Sequence, residues 1–531
     1  MSENIKNVFP NLTKNLLNDL KEFEIFDETI AQNIISNILE PEKYSPIPHF
    51  NLNEKNKKIL KEYKNSVRTQ KEFFIKDSIN NNFQNFNIGI NEKDKNLFKE
   101  IGKNFILTEE QLEALLLSLE NRFFILTGGP GTGKTTTAAA IIYSHIIQKD
   151  KFSNISVCAP TGRAAGRITE SLQLSFKNYF NKFQTEDLIK DKLQNLKAST
   201  IHRLLSYSYS KNKFYKNKDN PLLVDLLVID EGSMLSPELF YSIMEALPES
   251  AKLVILGDSF QLPPVDSEKF FSPLIEGELT TEKPINFEIT YNFRSNESKE
   301  LSSLLINIKK ENPYFFEKIN WLEYNSESSN DFFKCLTRST PSVTYLNNNF
   351  INNKKEYDKF WEEYTKNILI DTLYLKNKKD PYKNLWEDIS KYQILTSLKR
   401  TGRESSSYIN TVIESYLKKD KWIYPRIMNY NDYNLNIFNG DVGAEINGEC
   451  LFVIESENKS FPKNISGLES AFAITVHKAQ GSQYENTIIV LPKEIENELN
   501  TKAMLYTAVS RAKKNVLIIG NESILNKAIF Q

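Results

Sequence analysis

Eight residues, Gly128 to Thr135, read GGPGTGKT and stand between an apolar run (Phe123, Phe124, Ile125, Leu126) and a helix-compatible segment. A turn of this kind can aim successive backbone N–H groups at phosphate oxygens, because Gly128, Gly131 and Gly133 tolerate the tight path. Lys134 supplies a point charge for the β- and γ-phosphates, and the Thr135 hydroxyl suits a Mg²⁺ ion. The positive end of the following helix adds to the cradle. The whole phosphate cradle is Gly128, Gly129, Pro130, Gly131, Thr132, Gly133, Lys134, Thr135 and Thr136. In this context the pattern predicts a nucleoside triphosphate site with Mg²⁺ as its metal.

Phosphoryl transfer further needs a carboxylate for the metal, a base, a sensor of the γ-phosphate and a cation where charge spreads. Asp230-Glu231 closes the apolar run LLVID. Asp230 is expected to hold the metal together with Thr135, and Glu231 to act as base. Taken alone, the same pair could be an acidic cap for a helix starting near Ser236-Pro237. GDSFQLPPV (Gly257 to Val265) follows a second apolar run and offers Gln261 as sensor. Arg294, in ITYNFRS, and Arg511, in YTAVSRAKK, are the candidate guanidinium groups for the γ-phosphate.

Elements able to hold these groups follow from the pattern of apolar residues. Short aliphatic runs alternate with helical segments in two series: Phe123–Leu126, Ile155–Ala159, Leu226–Ile229 and Leu253–Leu256, then Tyr392–Thr396, Ala471–Thr475, Thr487–Leu491 and Val516–Ile519. That alternation predicts an α/β chain with two parallel-sheet domains and a cleft between them. A stripe at helical spacing (Leu12, Leu16, Leu20, Ile30, Ile34, Ile38) predicts an N-terminal helical region ended by Pro41, Pro46 and Pro48. SYSYSKNKFYKNKDN suits a hairpin near 204–222. Asn447-Gly448, between GDVGAEI and CLFVIES, predicts a tight hairpin inside a small β-barrel near 424–466.

At 531 residues the chain is too long for one core. Its 40% hydrophobic and 25% charged content is that of a soluble globular protein. No apolar run approaches the roughly 20 residues needed to cross a bilayer, and MSENIKNVFP lacks the layout of a signal peptide. Cys158, Cys335 and Cys450 lie far apart without metal-ligand spacing, so they read as reduced thiols of a cytoplasmic protein. A net charge of −1 excludes a globally basic nucleic-acid binder, so nucleic-acid contacts must come from a local groove.

Read in order, GGPGTGKT, APTGRAA (159–165), STIHRLL (199–205), VIDEGSM (228–234), GDSFQLPPV, YNFRS, AFAITVHKAQGSQ (471–483) and LYTAVSRAKK (505–514) resemble the superfamily 1B DNA helicases. The resemblance covers about 105–531 and is greatest to the RecD family, the alpha subunits of exodeoxyribonuclease V in RecBCD complexes. It implies two RecA-like motor domains, 105–285 and 286–531, an N-terminal helical docking domain at 1–104, the strand-separating hairpin near 204–222 and an SH3-like insert near 424–466. It implies that Gln111 reads the adenine. Thr161, Arg163, Thr200 and His202 would line the DNA path of the first domain, and Thr475, His477 and Lys478 that of the second. Thr200 equally suits a helix cap with His202 packed beside it, and Lys478 a solvated surface position. Tyr207 and Tyr209 suit either stacking platforms for bases or sheet packing.

The implied activity is ATP-driven 5′→3′ travel on single-stranded DNA and unwinding of double-stranded DNA, in double-strand break repair and homologous recombination. Its partners would be RecB-like and RecC-like subunits, with no membrane role. No nuclease carboxylate cluster is visible, so nuclease activity belongs to a partner. The alternatives are a standalone helicase of the same superfamily and an ATP-gated DNA-binding regulatory subunit. Three positions depart from the family pattern. Gln483 stands where Glu is usual, Ser510 where Thr is usual, and Gly232 stands, with no expected consequence, where Ala is common.

Overall fold

A computed structural model of the chain describes residues 90–530, apart from breaks at 149–152, 209–212, 265–269, 278–284, 294–297, 325–328, 376–377, 379, 381, 418–421, 433, 436, 455–456 and 494–500. The expected helical stripe from Leu12 to Ile38 lies outside the described residues, as do Tyr209 and Arg294.

The described chain begins with α1 (Glu92–Asn104) and α2 (Glu109–Glu120). A capping box starts α2: Thr108 Oγ1 accepts from the Gln111 N–H, and the Gln111 side chain accepts from the Thr108 N–H. Six parallel strands follow: β1 (Phe123–Gly128), β2 (Ile155–Ala159), β3 (Ser199–Thr200), β6 (Leu226–Ile229), β7 (Lys252–Gly257) and β8 (Ile285–Ile289), in the order β3-β2-β6-β7-β1-β8. Helix α3 (Lys134–Gln148) follows β1, and α4 (Gly162–Phe180) follows β2. The central strands β6, β7 and β1 are buried throughout because both faces are covered. Phe124 and Leu126 join Val157, Val228 and Leu256 in one core, while Phe123 and Ile125 join Cys158, Ile229 and Ile255 in the other. This division of alternate residues is the period of two of an extended strand.

The first sheet does not end where the motifs suggested. β8 pairs with β1 from Phe124↔Ile285 to Gly128↔Ile289, so the sheet runs past residue 285. It also starts earlier: Phe98 and Ile101 of α1 enter the core built on β1 and α3. Between β3 and β6, the short helix α5 (Ile201–Leu204) leads to a hairpin of β4 (Tyr207–Ser208) and β5 (Lys213–Phe214), where Tyr207 faces Phe214.

The second parallel sheet has the order β16-β10-β17-β18-β9, from β9 (Val343–Asn347), β10 (Tyr392–Thr396), β16 (Ala473–Thr475), β17 (Tyr484–Val490) and β18 (Ala512–Gly520). It shows the same division: Ile394, Ile488 and Leu517 enter one core, Leu395, Ile489 and Ile518 the other. Helix α6 (Lys502–Ser510) leads into β18. Between β10 and β16 stands an antiparallel sheet of β11 (Tyr424–Met428), β12 (Val442–Ile446), β13 (Glu449–Ile454), β14 (Glu457–Pro462) and β15 (Leu468–Ser470). Its β12–β13 turn is Asn447-Gly448, with φ of 52° and 88°, the double left-handed turn that only such residues accept readily. No helix among the described residues is long and apolar enough to cross a membrane.

Candidate nucleotide and nucleic-acid sites

Strand β1 delivers its chain end to the loop, and α3 begins at Lys134. Gly131 and Gly133 take φ of 80° and 82°, so the turn depends on their lacking a side chain. A Cβ at Gly133 would also strike the Gln111 amide. Lys134 Nζ donates to the carbonyls of Gly128 (2.5 Å) and Gly129 (3.1 Å), and Thr132 Oγ1 donates to Gly129 O (2.9 Å). Burial pulls the Lys134 ammonium below its ordinary value, opposed by the charges of Asp258, Asp230 and Glu231. Thr135 and Thr136 occupy the first turn of α3 beside it.

Asp230 leaves β6 with its N–H bonded to Cys158 O (2.9 Å). Burial first, then the neighbouring Glu231, pushes its carboxyl up to about 6. Glu231 itself is left-handed (φ 53°, ψ 46°), a backbone state that costs about 1–3 kcal/mol in a non-glycine residue. Next to it, Gly232 has no room for a methyl group. A Cβ would lie 2.6 Å from Ile255 Cγ2 and 2.8 Å from Phe271 Cε2, which corrects the expectation that alanine there is equivalent.

Gln111 is fully engaged. One end of its amide closes the capping box, and Nε2 donates to Thr132 O in the loop (3.0 Å), so it ties α2 to the phosphate cradle. Beside it lies a feature that motif spacing did not single out. Phe293 N–H donates to Gly131 O (3.0 Å), and its ring meets that of Tyr291 edge-on with centroids 5.0 Å apart. Both rings are over 40% exposed, an apolar corner at the mouth of the loop, and either face could pack against a base. Glu110 fixes this segment by accepting from the N–H groups of Thr290 and Tyr291, each at 2.9 Å. Both rings belong to YNFRS, the segment that also carries Arg294.

The second sheet reaches this edge directly. Tyr506 OH donates to Asp258 Oδ2 (3.0 Å), Leu262 N–H to Thr507 Oγ1 (2.8 Å) and Gln480 Nε2 to Leu262 O (2.8 Å). Gln261 Nε2 shares Asp258 Oδ2 at 3.3 Å, so the sensor candidate and α6 meet on one carboxylate. Lys309 Nζ stands 4.4 Å over the Phe260 ring and 5.6 Å over that of Tyr506. Arg511 is 2% exposed and donates to Ser482 O (3.2 Å), Thr507 O (3.2 Å) and Ser510 Oγ (2.8 Å). Burial lowers its guanidinium, opposed by Glu231 and Asp258 across the cleft. Arg167, one helical turn beyond Arg163 on α4, bears on the charges of Lys134, Asp230 and Arg511 as well.

The residues expected at the strand fall on α4, α5 and the turn after β16. Thr161 and Thr200 are helix N-caps, accepting from the N–H groups of Ala164 and Arg203 at 3.2 Å each. Arg163 donates to Tyr484 OH (3.2 Å), joining α4 to β17. His202 packs against the rings of Tyr207 (5.4 Å) and Phe214 (5.6 Å). Tyr207 also lies 4.8 Å from Phe214, so in the described hairpin it serves sheet packing. Thr475 Oγ1 accepts from the Lys478 N–H (3.4 Å), and His477 and Lys478 share the short helical turn after β16. Gln483 is half-buried between the Ser482 carbonyl and β17.

Residues 111–267 match the AAA domain family, and residues 470–519 the UvrD-like helicase C-terminal domain. Fold, loop and matches together define a nucleotide-using helicase of superfamily 1 built on two parallel sheets. Within that class the chain is RecD-like. The RecBCD enzyme subunit RecD of Buchnera aphidicola subsp. Schizaphis graminum is 29% identical over 79% of this chain and 73% of its own length. The Haemophilus influenzae subunit of the same name is 26% identical over 80% of this chain and 70% of its own. A solved Pif1 helicase from Bacteroides, in complex with ADP-AlF3 and ssDNA, is 18% identical and covers 80% of this chain and 94% of its own, at a TM-score of 0.41.

Proposed function

We propose that the chain is an ATP-dependent 5′→3′ DNA helicase and translocase, the RecD-like subunit of a RecBCD-type complex acting in the cytoplasm on double-strand breaks during repair and homologous recombination. The observation that carries the reading is the joining of Asp258, whose carboxylate Gln261 shares, and Leu262 to Tyr506 and Thr507 of α6, which leads into the second sheet. A change at the γ-phosphate would therefore be felt by both sheets, and alternating grip on a strand needs that coupling.

In this reading Lys134 neutralises the β- and γ-phosphates, and Tyr291, Phe293 and Gln111 bound the base. Glu231 orients the attacking water, Gln261 senses the γ-phosphate, and Arg294 and Arg511 stabilise the charge that spreads over its oxygens. Thr135 and Asp230 would hold Mg²⁺. Hard oxygen donors and the crowding of Asp230 against Glu231 fit a divalent cation, which would supply positive charge to the phosphates. Arg163, His202, Thr161 and Thr200 on the first body, with Thr475, His477 and Lys478 on the second, would contact the strand. The motor bodies would then be about 90–290 and 291–531, the antiparallel sheet an SH3-like insert, and the residues ahead of 90 a docking module for a RecC-like subunit beside a RecB-like one.

The test is ATPase activity of the purified chain with and without single-stranded DNA. Lys134→Ala is expected to abolish turnover in both while leaving the circular dichroism spectrum unchanged. Near-normal DNA-stimulated turnover in this variant would sink the site. Forked substrates then check direction: preferential unwinding from a 3′ tail overturns the assigned polarity.

A further inference from the structure

The antiparallel insert presents one edge to both motor bodies. The backbone bond from Met428 N–H to Asp441 O and the pairing of Ile427 with Glu469 bring Asn429, Asp441 and Glu469 to that edge. Each acid feels the charge of two cations. Glu469 Oε1 is 3.2 Å from Lys399 Nζ and Glu469 Oε2 is 3.4 Å from Lys478 Nζ, so one carboxylate bridges two lysines of the second body. Lys478 also donates to Asn429 Oδ1. Asp441 feels Arg163 and Arg203 of the first body, and its Oδ1 would lie 3.5 Å from a Cβ at Gly162. Phe438, three residues earlier, has the Arg203 guanidinium 5.0 Å over its ring.

A carboxylate bridging two ammonium groups has the charge and oxygen spacing that a phosphodiester offers the same pair. Lys478 and Arg163 are also the cations assigned above to the strand. We propose that this insert edge is a built-in competitor for the nucleic-acid backbone: Glu469, with Asn429, occupies Lys478 and Lys399 until a strand phosphate takes its place. This inference rests on the strand path given under Proposed function. The hold is an exchange of one anion for another, so each bound phosphate must displace the Glu469 carboxylate from Lys478. Asn429, Glu469 and Asp441 thereby set the resting affinity for single strands without touching the nucleotide site. Burial raises the Glu469 carboxyl, but Asn429, Lys478 and Lys399 outweigh it and leave it below its ordinary value, so charge on Glu469 favours the covered arrangement.

The test is fluorescence anisotropy of a labelled oligothymidylate with the full chain, without nucleotide, over a range of salt. Glu469→Gln keeps the shape and removes the charge. It is expected to bind about 5–10-fold more tightly at low salt, with a steeper dependence of log K on log salt as Lys478 and Lys399 become available to phosphate. The gain must vanish in Glu469→Gln/Lys478→Ala, and thermal unfolding checks that each variant is folded. Unchanged or weaker binding by a folded Glu469→Gln, or a gain that survives loss of Lys478, overturns the proposal. Single Lys478→Ala and Arg163→Ala variants separate the two readings. If neither weakens binding, the strand path itself is wrong; if they weaken it while Glu469→Gln changes nothing, only the competition fails.

Discussion

The two edges of the cleft are built by opposite rules. At the nucleotide edge the phosphate cradle is contiguous in sequence and bonded mostly to its own backbone: Lys134 to Gly128 and Gly129, and Thr132 to Gly129, with Gln111 reaching Thr132 from α2. At the edge proposed for the strand the groups are held by side chains of another element, from partners 9, 49 and 321 positions away. Arg163 meets Tyr484, and Lys478 meets Glu469 and Asn429. A ligand at the first edge finds a preformed backbone cradle, whereas one at the second must displace charges already in place. Substitutions at the first edge should therefore act on chemistry, and those at the second on affinity and on stability against pH.

The largest effect expected from that contrast is at Arg511. Its guanidinium is enclosed by α6 and the Ser482 carbonyl, with Glu231 and Asp258 facing it electrostatically. Arg511→Ala should lower kcat for ATP by ~10³-fold or more, the scale of an arginine finger, with KM changed only a few-fold. Steady-state ATPase on saturating single strands measures both. A loss confined to KM would mean that Arg511 only completes the pocket, and the two bodies would not share the γ-phosphate.

A smaller effect tests the backbone side of the comparison. Gly232→Ala places a methyl against Ile255 and Phe271 behind the strained Glu231, and overpacking of this kind costs about 1–3 kcal/mol. A lower Tm is expected, recovered when Phe271→Leu is added. Should Gly232→Ala be as stable as the parent, the close packing of Phe271 under the catalytic turn is not maintained in solution.

How much could be read from sequence follows the same division. The phosphate cradle, the carboxylate pair and the two sheets were legible because each rests on a local pattern: glycines at fixed spacing, or apolar runs whose alternate residues divide between two cores. The partners of those groups were not. Nothing in GDSFQL says that Asp258 will receive Tyr506 OH from 248 positions later, or that the Leu262 N–H will donate to Thr507. The first sheet extends past residue 285 for a related reason. β8 follows the last apolar run of the first series and carries Asn286 and Glu288 within it, because only part of an edge strand is buried. Asp441 and Glu469 left no motif at all. Their significance arises only when the antiparallel sheet brings them against Arg163, Arg203, Lys399 and Lys478.

Those two acids also give the smallest and most selective prediction. They sit on one sheet edge, yet their surroundings drive them in opposite directions. Burial pushes Asp441 up to about 6 although the Phe438 N–H, Arg163 and Arg203 oppose it, while Glu469 is held below its ordinary value. A carboxyl raised on folding takes up a proton between about pH 4 and 6. Its charge therefore costs stability above pH 6, and the cost disappears as pH falls toward 4. A carboxyl lowered on folding does the reverse, stabilising at neutral pH and losing that contribution in acid. The rise from 3.8 to about 6 would amount to about 3 kcal/mol in a fully enclosed site, and partial exposure reduces it to about 1 kcal/mol. Asp441→Asn should accordingly raise Tm at pH 7 and leave it near the parent's at pH 4. Glu469→Gln should lower Tm at pH 7, with the difference shrinking in acid. Thermal unfolding of both variants at the two pH values measures this directly. If Asp441→Asn were the less stable at pH 7, the pull of Arg163 and Arg203 would exceed the cost of burial, and the insert would be anchored firmly to the first body as well as to the second.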